Sequence, residues 1–233
     1  MQGTYFAGAY WLARQESAAA CARRADLFFR LLGGCDPAWT DWHDTASSQV
    51  VNPDEAALTR MFGAKEYRSG LDGFRFMFWT GKTVPEATSV GVSCGSATPW
   101  VPSSCVIGLP DKGPVAERVL TAPVITLVLR AMAQAWEPEW AIATSHEHLE
   151  VAYGYPLPDA YVGWVMYFSH QRGTVPPLPA PVRIEPVEDR GTLVVLTPER
   201  FTGANPEHVA LAARVHALLE HAGLLRPEQP AGP

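Results

Sequence analysis

Phe74-Arg75-Phe76-Met77-Phe78-Trp79, running into Thr80-Gly81-Lys82, breaks with everything before it. Upstream the apolar residues recur at helical spacing; here the period becomes that of a strand closed by a turn. Two more strands follow at short intervals, near Ser89–Cys94 and about Ser104–Leu109, so the middle of the chain reads as a meander. On the N-terminal side, Gly3 to Trp11 reads as an opening strand. Ser17 then caps a helix to about Leu32, with Cys21, Ala25, Phe28 and Leu32 on one face and Gly33-Gly34 as its stop. Trp39 and Trp42 fall on an irregular or short helical segment, and Asn52-Pro53 opens a helix to about Phe62.

Downstream of the meander, Thr121 caps a long apolar helix that ends at Glu137-Pro138. Trp140–Ser145 and Gly163–Ser169 are strands that bracket a segment, 146–161, holding three tyrosines. Residues 173–181 are a proline-rich crossing, and 182–184 and 192–196 are the last strands. Asn205 caps the final helix, Pro206 takes its first position, and Leu211, Val215, Leu218 and Ala222 line one face. Gly223 is placed for a left-handed cap, with Leu224 folding back. Strands with segregated helices predict an α+β fold: a mixed, largely antiparallel sheet with helices packed against it. There is no internal repeat and no linker that demands two domains, so residues 1–233 are expected to form one compact domain, with 226–233 as a disordered tail.

Composition narrows the function. The 47% of hydrophobic residues suffices for a core, and no apolar stretch reaches the ~18 residues of a membrane-spanning helix. The N-terminus shows no basic leader, and the four cysteines show no C-x-x-C pairing, so free thiols in a reducing cytosol are expected. A net charge of −6 disfavours direct binding of nucleic acid. Between Arg130 and Arg172 there is no Lys or Arg, and the stretch carries Glu137, Glu139, Glu147, Glu150 and Asp159. The rest of the chain, with 18 basic and 19 acidic residues, is close to neutral. The segment is either a solvated acidic face or a docking surface for a basic partner.

Three patterns raise the question of catalysis. Gly91-Val92-Ser93-Cys94-Gly95 fits a nucleophile elbow, which needs a helix after the serine; Pro99 and Pro102 follow instead, and a strand ending in a glycine turn explains the pattern with less. If the segment stays extended, His146 and His148 share one side and form, with His170, a candidate metal set, although the H-E-x-x-H pattern is absent. Gly81-Lys82-Thr83 lacks the first glycine of a phosphate loop, since Phe76 stands there. No catalytic constellation assembles, and no cofactor or metal is expected.

Read in order, several segments resemble one bacterial family, the immunity protein 52 family of polymorphic toxin systems. They are Tyr5-Phe6-Ala7-Gly8-Ala9-Tyr10-Trp11, Glu16-Ser17 leading into Cys21-Ala22-Arg23-Arg24, and Cys94-Gly95 with Pro99-Trp100-Val101-Pro102. Next come Ala135-Trp136-Glu137-Pro138-Glu139-Trp140-Ala141, Val162-Gly163-Trp164 and Tyr167-Phe168-Ser169. Glu199-Arg200-Phe201-Thr202 and Asn205-Pro206-Glu207-His208-Val209 close the series. The resemblance implies a non-enzymatic antidote that binds a cognate toxin, in this family one with a restriction-endonuclease-like nuclease domain. It also implies a cytoplasmic site of action, with no direct contact to nucleic acid or membrane. The acidic segment is then the expected docking face. Glu147, Glu150 and Asp159 would compete for groups that hold DNA phosphates, and Tyr153, Tyr155 and Tyr161 would supply contact area. The alternatives are that these residues shape a local loop while the toxin docks elsewhere, or that the chain is a hydrolase or metal enzyme using Ser93 or His146, His148 and His170.

Overall fold

The computed structural model describes residues 4–70, 73–98, 103–154 and 160–226. The chain opens on strand β1, Tyr5–Trp11, and helix α1, Ala18–Cys35, whose N-cap Ser17 accepts from the Ala20 amide at 3.2 Å. Gly33-Gly34 does not stop α1, because two helical glycines cost only ~1 kcal/mol each. The stop is Asp36-Pro37: a residue before proline is driven to extended backbone, and Asp36 sits at φ −158°, ψ 139°. Asp36 takes a two-point ion pair from Arg118, at 2.6 and 2.9 Å.

A 3-10 turn at Pro37–Trp39 leads to β2, Trp42–Asp44, and β3, Val50–Val51. Helix α2, Glu55–Gly63, is capped by Asp54, which accepts from the Ala57 amide at 2.8 Å, rather than by Asn52. Then come β4, Arg68–Ser69, and the expected meander of β5, Gly73–Trp79, β6, Ser89–Cys94, and β7, Ser103–Gly108. Helix α3, Gly113–Val119, unforeseen in the sequence, precedes α4, Ala122–Trp136. The second half holds β8, Trp140–Ser145, α5, His146–Ala152, β9, Val165–Ser169, β10, Arg183–Val187, β11, Gly191–Val195, and α6, Pro206–His221. Asn205 caps α6, Gly223 adopts φ +73°, and Leu224 is buried, as expected. Leu218 is 39% exposed, however. Leu219 takes the interior place, since 211, 215 and 219 keep the i, i+4, i+8 spacing. The tail expected from residue 226 falls, beyond Arg226 itself, outside the described residues.

All strand pairs are antiparallel, in the order β10-β11-β9-β8-β1-β7-β6-β5-β2-β3, with β4 also on β5. This is a single-domain α+β architecture with an open sheet. One face carries the helices. Phe74, Phe76 and Phe78 of β5 point at α1 and α2, where Phe29 and Phe62 pack on them at 5.1–6.3 Å between centroids. Trp136 of α4 stacks on Trp11 at 5.4 Å. The opposite face is divided. Across β8 it is crossed by residues 160–164, where Gly163 lies against Ile142 and Thr144 and Tyr161 sits edge-on to Trp140. Across β5–β7 it stays open, with Arg75 and Met77 exposed and Ser93, Ser104 and Val106 half-exposed.

Among the described residues no single helix is long and apolar enough to cross a membrane. The most apolar one, α4, spends its side chains on the core, with Ile125, Val128, Leu129 and Met132 fully buried.

Candidate partner-binding surface

The segment that would have to stay extended for His146 and His148 to share a side begins instead as a helix. Ser145, the last residue of β8, accepts from the His148 amide at 3.2 Å and so caps α5. Within α5 the two histidines part. His146 stacks on Phe6 at 4.8 Å, while His148 is fully buried, its Nε2 3.1 Å from the Val162 carbonyl oxygen and its ring edge-on to Phe201. His170 lies exposed in the turn after β9. No group of three His, Cys, Asp or Glu side chains among the described residues could hold a metal ion. The extended geometry that put both imidazoles on one side is absent, and with it the geometric basis of that metal reading.

Ser93 fares no better as a nucleophile. It sits inside β6, opposite Arg75 on one side and Ser104 on the other, and the described residues directly after β6, 95–98, are not helical. Cys94 beside it is buried; its contact with Cys21, and then burial, push its thiol well above the ordinary value. That is the opposite of what a reactive thiolate needs.

The six expected contact residues divide by position. Glu150 is exposed on α5, next to Val151 at 59% exposure. Glu147 is half-buried and accepts a 3.0 Å hydrogen bond from the Thr202 hydroxyl. Tyr153 is half-buried: its oxygen accepts from the Val162 amide at 2.8 Å, its ring lies 5.7 Å from His216, and burial pushes its hydroxyl up to about 12. Tyr161, expected on the docking face, is an interior side chain, 7% exposed, because residues 160–164 fold down onto β8. Burial raises its hydroxyl as well. Tyr155 and Asp159 fall outside the described residues.

The acidic run is also regrouped by the fold. Glu137, in left-handed backbone at φ +49°, receives Arg190 at 2.6 Å and Arg24 at 3.0 Å, with Arg14 at 3.8 Å. Partial burial alone would raise its carboxyl, but the Arg190 hydrogen bond and the Arg24 charge hold it below the ordinary range. Glu139 is met by Arg172 at 3.5 Å. Two of the five carboxylates are thus answered by arginines distant in sequence, and among the described residues of the run the acidity left outward centres on α5. The same arginine cluster borders a feature that no sequence signal marks, a cavity of about 570 Å³ whose wall includes Trp11, Arg14, Glu137, Ser169 and Arg190.

His148 gives this region a pH response. Burial lowers its pKa, partly offset by its bond to the Val162 carbonyl. The folded protein therefore stays neutral there while the unfolded chain takes up a proton near 6.5. Stability is flat above that value and falls as pH drops below it, by at most about 1.4 kcal/mol per pH unit for one proton. Urea titrations between pH 7 and 5 are expected to show this slope, and His148→Gln to flatten it; an unchanged slope in the variant would place the titration elsewhere.

The chain is similar in fold to a solved structure described as Pseudomonas aeruginosa T6SS protein PA0821. The TM-score is 0.58 at 15% identity, over 99% of this chain and 78% of that one. None of the curated proteins matches it in sequence. The model of the Immunity protein 52 family matches residues 3–228, nearly the whole chain. With a match of that extent, this α+β chain belongs to the Immunity protein 52 family.

Proposed function

We propose that the chain is the cytoplasmic antidote of a nuclease toxin, and that it acts by covering the toxin's active cleft rather than by catalysis. The observation that carries this reading is the family match over residues 3–228, since an immunity protein works by binding its cognate toxin. A cleft built to hold DNA phosphates is basic, and the outward acidity of α5 is its complement. Glu150 is the leading contact, backed by exposed Val151, by Glu147 and by the Tyr153 edge, with Tyr155 and Asp159 in the adjoining stretch.

The test is co-expression with the toxin domain encoded beside this gene, followed by purification and a nuclease assay. A stable, inactive complex and restored growth are expected; a toxin neither bound nor neutralised would end the antidote reading. Glu150→Lys locates the face. Because Glu150 is exposed, its reversal leaves the fold intact, slows association and weakens binding by about 1–3 kcal/mol, more at low salt. Unchanged association kinetics would move the interface away from α5 while leaving the antidote role in place.

A further inference from the structure

We propose that the uncovered sheet face of β5–β7, extended onto β2 and β3, is the second half of the toxin-docking surface, an inference that rests on the antidote reading. It seats an apolar, weakly charged side of the toxin while α5 meets the basic groups. Strict alternation builds this face: along β6 and β7 the inward side chains are buried and the outward ones half-exposed. A sheet face left to water is normally polar and charged. Of the nine outward positions on β5, β6 and β7, only Arg75 carries a charge. Met77 is 45% exposed and Val50, on β3, 74%, with Trp79 and Val106 half-exposed on the same side. Apolar side chains gathered on one uncovered face mark an interaction site.

Area and continuity assign the occupant. Helix α5 has seven residues, a length of only ~10 Å, against the roughly 800 Å² per partner that a stable interface covers. A toxin held at α5 must therefore rest on more of the molecule. The sheet face begins at the foot of α5, where His146 stacks on Phe6 at 4.8 Å. From Phe6 one row of paired positions runs straight across the sheet, through Gly108, Ser89, Trp79 and His43 to Val50. At ~4.8 Å per strand that row is ~24 Å long, and the three outward rows of β5–β7 span ~14 Å.

Charge selects the toxin over a second copy of this chain. A net charge of −6 opposes self-association and attracts a partner with a basic, DNA-holding cleft. No carboxylate stands at an outward position of β5–β7, so the part of the toxin resting there has no acidic surface to complement. Arg75, exposed on β5, is the one charge there and suits a lone acceptor on the toxin.

Gly91→Thr is the discriminating variant. Gly91 is central on the face, and a Cβ there meets only Met77 Cε, at an ordinary 3.6 Å. Threonine suits a strand better than glycine, so the melting temperature of the free protein is expected to hold or rise. Under a seated toxin the added side chain stands inside the contact, and affinity is expected to fall about tenfold or more. Gly34→Ala, in α1 on the helical side of the sheet, is expected to leave affinity unchanged. Should Gly91→Thr not fold, Met77→Gln at an exposed site repeats the test, with an expected loss of several-fold. Wild-type affinity in both face variants would overturn the docking face and leave the antidote reading standing. An equal loss in Gly34→Ala would overturn it too, since the effect would then not belong to this face. A chain that sediments as a dimer, and that Gly91→Thr turns into a monomer with toxin binding intact, would overturn the toxin as occupant in favour of a second copy. A wild-type chain that does not bind the toxin would overturn both readings.

Discussion

Arg172→Ala is expected to cost the fold about 3–4 kcal/mol, the largest effect of any single side chain considered. Arg172 follows β9, and its side chain is 1% exposed. It donates to the Leu224 carbonyl at 2.7 Å and to the Arg226 carbonyl, faces Glu139 at 3.5 Å, and lies 5.9 Å from the Trp140 ring centre. One guanidinium thus ties the chain beyond α6 to the turn after β9 and to the start of β8. Truncation takes the guanidinium donor from two carbonyl acceptors and a partly buried carboxylate, and opens a void beside Trp140. Lysine is not a substitute, because a point charge cannot address three acceptors in fixed directions. Chemical denaturation of Arg172→Ala and Arg172→Lys should show both well below wild type; full stability in the lysine variant would mean that charge alone suffices.

Gly191→Ala is expected to cost about 3 kcal/mol or to abolish folding, through crowding rather than loss of contact. Gly191 opens β11 opposite Ser169, and a Cβ there would press on the Phe168 carbonyl oxygen and come within 2.7 Å of the Tyr167 hydroxyl. The carbonyl is backbone of the neighbouring strand and cannot retreat without opening the ladder between β9 and β11. Gly34→Ala is the control, because nothing stands within 4 Å of its Cβ. That change sits inside α1 and should stabilise by about 0.5–1 kcal/mol. Thermal melts of the pair should move in opposite directions; a neutral Gly191→Ala would show that β9 and β11 can part at that end.

These contrasts mark what the sequence makes legible. The β5–β7 meander, β8 and the caps of α6 are written in local pattern: alternating phenylalanines, an apolar run of strand length, Asn205-Pro206 and Gly223. Segments set by distant packing are not. Helix α5 is seven residues long and reads equally well as extended chain; Phe201, stacked edge-on to His148, belongs to another part of the chain. Strands β2 and β3 have three and two residues, too few for a period to show. The candidate surface suffers most, because charge counted along the chain is not charge on the surface. Arg14, Arg24, Arg190 and Arg172 all lie outside the acidic stretch, yet they answer Glu137 and Glu139 within it. Glu150, which no distant partner claims in this way, is the member of that run most directly readable as a contact.

The place of β1 in the sheet has a consequence for synthesis. It precedes every other described strand in the sequence, yet it lies in the middle, between β7 and β8, whose pairing reaches from Phe6 to Gly108 and from Tyr5 to Ser145. The emerging chain therefore carries an apolar strand with one bare edge until about residue 108 and the other until about 145. Contacts closed so late make folding slow, and bare strand edges invite pairing with other chains. A ribosome that stalls before β8 releases a protein with its central strand half-zipped, so truncated products should be caught by chaperones or proteases and not accumulate as partial antidotes.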